Sequence, residues 1–286
     1  MTHRQEGRTG LAMMLALGSA LILPFVDAMV KILVVDYSVA MIAWVRMGFS
    51  ALVLGSIAYR GMGTKAFQPA APKLQVLRGL SAVVGTTMAF LGFRYMPLAE
   101  CLAIILIAPI LSNLLSLWWL KESGNLWTWL AAVLSFIGVL VIARPGSSIF
   151  SIGAVYALIA ACGLASYITL TRAVSGRDDA RVTAFLGPLV AFLMFSLAMP
   201  TGGAWPKSWG HLLMFIGIGL LGTLANFFQT HAYRYGTTHQ IAPISYTSVV
   251  VAIGVGWLVF GSVPDSWSLI GMAIISLTGI LIVLKK

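Results

Sequence analysis

Charged residues are scarce in this chain. Only 9% of its 286 residues are Asp, Glu, Lys or Arg, whereas a soluble globular domain has about 25%. Hydrophobic residues make up 59%, and the mean hydropathy is +0.96. This composition excludes a soluble domain and indicates a protein of the lipid bilayer.

Cysteines and long polar segments are scarce too. The two cysteines, Cys101 and Cys162, fall inside predicted helices. They are too few and too buried for a disulfide framework, so packing is their expected role. The longest loop, residues 60–74, leaves no room for a soluble catalytic or ATPase domain, and no GxxxxGK[ST] motif is present. No HxxxH, CxxC or carboxylate cluster occurs, so the sequence predicts no cofactor and no metal site.

Long apolar runs are what the chain has instead. They recur at about twenty residues, the length of an α-helix that crosses a ~30 Å hydrocarbon core. The first run is too long for the apolar part of a signal peptide, and no small-x-small cleavage site follows it. The predicted helices are 10–33, 38–59, 75–94, 97–120, 126–143, 151–174, 181–200, 209–233, 238–260 and 266–284.

The net charge of +10 would suggest a nucleic-acid partner in a soluble protein. Membrane topology explains it better, because cytoplasmic loops carry an excess of Lys and Arg. With the N-terminus inside, thirteen Lys and Arg residues fall on the inner side and four on the outer side, and Arg46 lies within a helix. We therefore predict that both termini are cytoplasmic and that nucleic acid is not a partner.

A weak internal repeat relates residues 92–145 to residues 232–286. Within it, SFIGVLVI at 135–142 falls on SLTGILIV at 276–283. A repeat at about half the chain length suggests two copies of one five-helix unit.

The two predicted repeats are residues 1–145 and 146–286. Each has an odd number of helices, so the second crosses the membrane inverted relative to the first. Inverted repeats allow two related halves to exchange outward-open and inward-open shapes around a central site. A transporter uses this symmetry. A channel has no filter motif or charged ring here, and an intramembrane enzyme has no evident catalytic dyad.

Several short motifs occur in the two predicted repeats. They are Arg94-Tyr95 and Arg234-Tyr235, Ala108-Pro109 and Ala242-Pro243, Lys121-Glu122, the GVLVIARP sequence ending at Pro145, and Arg46. These motifs resemble those of the drug/metabolite transporter superfamily, in its EamA-type ten-helix branch, and look like those of YddG-like amino-acid exporters. The resemblance covers nearly the whole chain, and Ser262 departs from it at a position where an acidic residue is frequent.

This resemblance implies an all-α, ten-helix protein of the cell's inner (plasma) membrane that moves small metabolites outward. We expect a secondary transporter that exports amino acids or related zwitterions by alternating access. The alternative is a proton-coupled exporter of cationic or hydrophobic drugs. A chain that carries both inverted halves can form a transport pathway without a second copy of itself, so we expect that a monomer can function.

Charges within predicted helices are the first candidates for a site, because a charge in the bilayer is costly. Asp27 could pair with Lys31 one turn away or with Arg46 on the next helix. Arg46 could instead receive a substrate carboxylate through its planar fork. Glu100 could complement a helix N-terminus, or it could contact an ammonium group, gate the outer side or carry a proton.

Two prolines and several polar side chains complete the candidates. Pro109 and Pro243 each remove a helical hydrogen bond and can bend or open a helix. Asn113 is expected in a helix–helix hydrogen bond, and glycines 79, 85 and 92 in close helix packing. The predicted substrate contacts are Arg46, Thr87, Phe90, Tyr167, Asn226, Gln229 and Tyr246, and the predicted gating or proton residues are Asp27, Glu100, Pro109 and Pro243.

In the mechanism that these residues suggest, the halves 1–145 and 146–286 rock about a site near the midplane. Predicted helices one, three, four, six, eight and nine line that site. Helices five and ten are apolar at depth and serve as peripheral scaffold.

Overall fold

The computed structural model describes residues 2–119, 126–144, 151–174, 177–198, 205–235, 244 and 246–284. Over these residues the chain forms eleven α-helices and one 3-10 helix, Gly63–Phe67. The α-helices are α1 (Thr2–Leu33), α2 (Val39–Met62), α3 (Pro72–Tyr95), α4 (Leu98–Ile105), α5 (Ala108–Trp119), α6 (Leu126–Ala143), α7 (Ile152–Val174), α8 (Ala180–Ala198), α9 (Trp209–Tyr235), α10 (Thr247–Phe260) and α11 (Ser266–Leu284).

Seven segments of the described chain are long and apolar enough to cross a membrane. Three shorter apolar segments, Ala132–Ala143, Thr247–Phe260 and Ser266–Thr278, lie in α6, α10 and α11. Each of the ten segments overlaps one of the ten predicted helices, since α4 and α5 together fill the fourth position. Residues 238–243 of the ninth predicted helix lie outside the described residues. The all-helical class is therefore confirmed over the described residues, while ten crossings remain a prediction.

Helix starts follow their capping residues. Ser38 has an extended backbone, and its Oγ accepts a hydrogen bond from the Met41 N–H at 3.2 Å, which caps α2 as expected. α3 begins at Pro72, earlier than the predicted residue 75, because a proline at the first helical position lacks only an N–H that has no helical partner.

The prediction of one continuous helix over 97–120 is wrong. α4 ends at Ile105, residues 106 and 107 form a turn, and α5 begins at Ala108. Pro109 has no N–H to donate to the carbonyl of Ile105, so the regular ladder cannot run through this point. The structure thus places a helix interruption at the first Ala-Pro dipeptide.

Helices of the two predicted repeats pack mainly on each other. α1 packs on α9, just as α7 packs on α3, and these two pairings exchange when the repeats are exchanged. The α2–α9 and α8–α3 pairings are related in the same way, and α2–α8 and α6–α11 each map onto themselves. A Cβ on Gly163 would lie 2.7 Å from the Gly85 nitrogen, so glycines permit the close α3–α7 approach.

This interleaving bears on how the protein can move. A rotation of residues 1–145 as one body against 146–286 would separate α1 from α9 and α3 from α7. The pairings instead group the helices into two mixed bundles, one of α1, α2, α9 and α10 and the other of α3, α4, α5, α7 and α8, which contact each other chiefly through α2 and α8. α6 and α11 pack chiefly on each other at the side, with exposed apolar residues such as Phe136 and Ile270.

The helix ends define two faces. We name the face where α1 begins the N-terminal face and the opposite one the distal face. At the distal face, Ser151 Oγ donates to the Tyr95 carbonyl at 2.7 Å, which joins the end of α3 to the start of α7. Lys207 Nζ lies 2.6 Å from Asp36 Oδ1 there, which joins the loop before α9 to the loop after α1.

The two cysteines differ in burial. Cys101 is fully buried on α4, and its Sγ lies 2.7 Å from the position of a Cβ built on Gly92. Cys162 is exposed on α7, so the expectation that both are buried is wrong for this residue. The neighbouring Gly163 faces α3, and one helical step of about 100° turns Cys162 away from that interface. Both are free thiols.

Candidate functional site

Asp27 and Arg46 form a buried but loose ion pair between α1 and α2. Arg46 Nη1 lies 3.9 Å from Asp27 Oδ1, and the side chains are only 13% and 10% exposed. The separation exceeds hydrogen-bond length, which is about 2.7–3.2 Å for N–H···O. Arg46 Nε is buried and has no hydrogen-bond partner in the part of the chain that the structure describes. The pair therefore leaves bonding capacity unused.

Side chains of α3 and α9 complete the surroundings of Arg46. Its ζ carbon lies 5.8 Å from the centre of the buried Phe90 ring on α3. Gly222 on α9 faces it from another side, and a Cβ there would lie 3.4 Å from Arg46 Nε. Four helices, α1, α2, α3 and α9, thus meet around one guanidinium group, and we name this group of residues the Arg46 cluster.

Lys31 is not the partner that the i to i+4 spacing suggested for Asp27. Its ammonium donates to the carbonyls of Phe93 and Met96 at 2.6 and 2.7 Å, at the C-terminal end of α3. It also lies 5.5 Å from the centre of the Phe260 ring. Unpaired carbonyls and the negative end of the helix dipole attract a cation to this position. Lys31 consequently ties α1 to α3 near the distal face.

Glu100 lies apart from the Arg46 cluster. It is in the first turn of α4, where a negative charge complements the helix dipole. Its Oε1 accepts a hydrogen bond from Ser268 Oγ of α11 at 2.8 Å. The predicted role at a helix start fits this position, and the gating and proton roles remain predictions.

Tyr167 lies in a second cluster, nearer the N-terminal face. Its hydroxyl accepts a hydrogen bond from Arg78 Nη1 at 2.9 Å, and its ring lies 5.0 Å from the Arg78 ζ carbon. Arg78 is only 1% exposed. Its Nε donates to Gln75 Oε1 at 3.1 Å, and its Nη2 donates to the Thr183 carbonyl. We name these residues the Arg78 cluster.

Sequence reasoning missed the Arg78 cluster. Arg78 is among the thirteen Lys and Arg residues that the charge distribution assigns to the inner side, whereas it lies six residues inside α3. Gln75 extends the network, because its Nε2 donates to Asp178 Oδ2 at 2.7 Å and to Thr183 Oγ1 at 3.2 Å. The depth of Arg78 within an apolar helix, with Gln75 one turn before it, was the available signal.

The remaining predicted contacts lie on α3, on α9 and at the start of α10. Thr87, half-buried, precedes Phe90 by one turn of α3. Asn226 and Gln229 are half-buried and follow Gly222 along one side of α9. Tyr246 is buried just before α10. Pro243 lies outside the described residues.

Helix–helix hydrogen bonds account for other polar residues. Asn113 Oδ1 accepts a hydrogen bond from Arg172 Nη1 at 3.2 Å, so its expected role between helices is confirmed. Ser50 and Thr223, both buried, are hydrogen-bonded at 2.9 Å between α2 and α9. Over the described residues, no group of three or more His, Cys, Asp or Glu could hold a metal ion.

Exposed ion pairs lie at the distal face. A hydrogen bond from Arg144 lowers the pKa of Asp265 to about 2, and a hydrogen bond from Lys207 lowers the pKa of Asp36. Asp265 also caps α11, since its Oδ1 accepts from the Ser268 N–H at 2.9 Å. Arg144 directly follows α6 and has a positive φ of 46°, a left-handed conformation that is uncommon outside glycine.

The comparisons with known proteins agree with this architecture. The model of the EamA-like transporter family matches residues 10–144 and again residues 151–285. A solved crystal structure superposes with a TM-score of 0.65 and covers 97% of this chain and 96% of its own, at 16% identity. That likeness shows the fold alone.

Three curated relatives are transporters. A riboflavin transporter of Vibrio cholerae is 28% identical over 71% of this chain and 68% of its own length. An S-adenosylmethionine uptake transporter of Rickettsia conorii is 24% identical over 86% and 83%. A pseudopaline exporter of Pseudomonas aeruginosa is 27% identical over 87% of each chain.

The chain belongs to the EamA-like transporter family. It is a membrane transporter rather than an enzyme, and it is a multi-pass protein of the inner (plasma) membrane, as predicted. Its substrate is a small molecule.

Proposed function

We propose that this protein is a secondary transporter that exports amino acids or similar small zwitterions across the inner membrane by alternating access. The observation that carries the proposal is the loose Asp27–Arg46 pair, with a buried Nε that has no partner among the described residues. The two charges lie close together without a hydrogen bond between them, so both keep bonding capacity for a ligand.

The chemistry of this pair suits a zwitterion. Arg46 offers a planar set of donors that matches a carboxylate, and Asp27 offers oxygens for an ammonium group. A buried donor without a partner costs about 1–3 kcal/mol, and more when it is charged. A bound carboxylate would recover this energy, so the site is more stable with ligand than without it.

Neighbouring residues supply contacts for the rest of the substrate. The Phe90 ring provides an apolar wall beside Arg46. Asn226 and Gln229 continue the side of α9 that starts at Gly222, and Thr87 continues the Phe90 side of α3. We propose that these side chains face the substrate, with Tyr246 from α10.

The packing of the helices supports alternating access. The pairings that exchange with the repeats allow the mixed bundles to adopt two related arrangements. We propose that residues 1–145 and 146–286 are the repeat units. We also propose that the two mixed bundles are the rigid bodies that move, and that they move against α6 and α11. We assign the N-terminal face to the cytoplasm from the Lys and Arg distribution.

The relatives' names are consistent with a small-metabolite substrate and leave its identity open. S-adenosylmethionine is an amino-acid derivative, while riboflavin is not. One name states uptake and another states export, so the outward direction rests on the sequence resemblance.

A drug exporter that uses proton exchange is the competing function. Such a protein would need a deep acidic residue free to meet a cation. Asp27 instead lies beside Arg46, so this observation favours the zwitterion.

Flux in proteoliposomes tests the proposal. Vesicles are loaded with single radiolabelled amino acids, with and without a pH gradient, and wild type is compared with Arg46→Ala, Asp27→Asn and Glu100→Gln. The exposed Arg60→Ala on the same helix as Arg46 is the control. We expect amino-acid flux in wild type and in the control, and its loss in the Arg46 and Asp27 variants.

The other outcomes are equally informative. Flux that needs the gradient and stops in Glu100→Gln would make Glu100 the proton site. Flux that needs no pH gradient would instead assign Glu100 a role in gating. Movement of cationic dyes without any amino-acid flux would contradict the proposal in favour of the drug exporter.

A further inference from the structure

The edges of the Arg46 guanidinium are not equivalent in this structure. Nη1 faces Asp27 at 3.9 Å, and the ζ carbon lies 5.8 Å from the centre of the Phe90 ring. Nε and Nη2 share the opposite, side-on edge of the group. Nε is buried there without a partner among the described residues. The donors on the Nε–Nη2 edge are therefore the ones available to bind a ligand.

Gly222 forms the wall next to this edge. A Cβ built on it would lie 3.4 Å from Arg46 Nε, 3.7 Å from Arg46 Cγ and 3.8 Å from Val26 Cγ1. The first of these separations is at the lower limit of ordinary van der Waals contact, so the helices would tolerate a methyl group. That methyl group would nevertheless occupy the space beside Nε that an acceptor oxygen needs at about 2.9 Å.

We propose that the substrate carboxylate binds the Nε–Nη2 edge of Arg46 side-on, and that Gly222 is a specificity-determining residue because it keeps that edge open. This inference rests on the proposed function and deepens it. The substrate carries an unsubstituted carboxylate, because a side-on bidentate contact needs both of its oxygens. Asp27 then remains beside Nη1 for the ammonium group.

The test measures transport and equilibrium binding of an amino acid and of its amide, which lacks the second acceptor oxygen. Wild type is compared with Gly222→Ala, with Gly254→Ala and with the double variant Gly222→Ala/Arg46→Lys. A Cβ at Gly254, on α10, meets nothing within 4 Å, so that variant adds the same methyl group without contact. Melting temperatures verify that all variants are folded.

We expect Gly222→Ala to raise the KM and Kd for the amino acid about tenfold and to change the values for the amide less than twofold. Gly254→Ala should match wild type. In the Arg46→Lys background, Gly222→Ala should add less than a twofold effect, because lysine has no Nε–Nη2 edge to cover.

Three results would overturn the inference. Unchanged amino-acid binding in Gly222→Ala would show that the edge is not used. An equal loss for acid and amide, or a full tenfold effect in the Arg46→Lys background, would assign the loss to helix packing. Wild type that binds no amino acid would overturn the proposed function as well, so the two failures are distinguishable.

Discussion

Two arginines lie at helix interfaces that are related by the exchange of the repeats, on opposite partners of those interfaces, and they have opposite surroundings. Arg46 on α2 packs against Gly222 of α9, and Arg78 on α3 packs against Gly187 of α8. The α2–α9 and α8–α3 interfaces exchange when the repeats are exchanged. Arg78 donates from three nitrogens to protein acceptors, whereas Arg46 Nε has no partner among the described residues. The comparison teaches that hydrogen-bond satisfaction, rather than burial, separates a structural arginine from a binding one.

The largest expected effect is on binding at the Arg46 cluster. Arg46→Lys keeps the charge but lacks the planar fork, so amino-acid binding should weaken by about 10- to 100-fold, the range of a charge-assisted hydrogen bond of about 1.5–3 kcal/mol. Equilibrium binding of radiolabelled amino acid to the purified protein measures this. Arg60→Ala, exposed on the same helix, should bind like wild type. Wild-type affinity in Arg46→Lys would contradict the assignment of substrate binding to the Arg46 guanidinium.

The second effect is on stability at the Arg78 cluster. Arg78→Met leaves the acceptors on Gln75, Tyr167 and Thr183 without their donor, so we expect a loss of about 1–3 kcal/mol, the cost of buried acceptors that lose a hydrogen bond. Reversible unfolding in detergent measures the loss. Arg94→Met is the matched control, because Arg94 is exposed on the same helix. A loss below 1 kcal/mol, equal to that of the control, would contradict the structural role of Arg78.

The third effect concerns the Lys31 tie between α1 and α3. Lys31→Met removes two charge-assisted hydrogen bonds between α1 and the end of α3. Each bond stabilises, by about 1.5–3 kcal/mol, the arrangement in which the two helices are joined. The two bundles should therefore separate more often at the distal face. In a Cys101→Ser/Cys162→Ser background, a reporter thiol introduced by Thr87→Cys should react about tenfold faster with an impermeant reagent added at the distal side.

Lys207→Met is the control for this experiment. Lys207 also forms an ion pair at the distal face, but its partner Asp36 belongs to a loop of the same bundle. Its loss should leave the labelling rate within a factor of two. Equal acceleration in both variants would mean that Lys31 does not act as a specific tie between bundles.

The smallest effect is expected at the exposed Arg144–Asp265 pair. Asp265→Asn should cost less than about 1 kcal/mol, because Asp265 is half-exposed and solvent screens the pair. The pKa of Asp265 is lowered from 3.8 to about 2, so the stabilisation is complete above about pH 4 and is lost as the pH falls toward 2. Melting curves of the variant and wild type should keep the same small offset between pH 5 and 8. An offset that varies over this range would contradict the assignment.

The positions of the helices were predicted from the sequence better than the packing of one helix on another. Run length and hydropathy predict where helices lie, because each backbone satisfies its own hydrogen bonds within the membrane. They do not encode which helices pack together, so the interleaving of α1 with α9 and of α3 with α7 was not predicted. The break before α5 agrees with the expectation that Pro109 can bend or open its helix, although the predicted bounds 97–120 treated the segment as one helix.

The candidate site was predicted in part. Arg46, Asp27 and Phe90 were expected, and the structure brings them together. The local Asp27–Lys31 pairing was not realised, because the carbonyls at the end of α3 offer Lys31 acceptors from a helix that is distant in sequence. Tyr167 lies with Arg78 rather than with Arg46, since residue type alone cannot say which charge a tyrosine meets.

The most direct test of the central claim is amino-acid exchange flux in proteoliposomes with equal amounts of folded wild type, Arg46→Lys and Arg78→Lys. The account predicts that Arg46→Lys loses nearly all flux and keeps a melting temperature close to that of wild type. It predicts that Arg78→Lys melts at a lower temperature and that its folded fraction still transports. The reverse pattern, with flux retained in Arg46→Lys and lost in folded Arg78→Lys, would contradict the assignment of the binding site to Arg46.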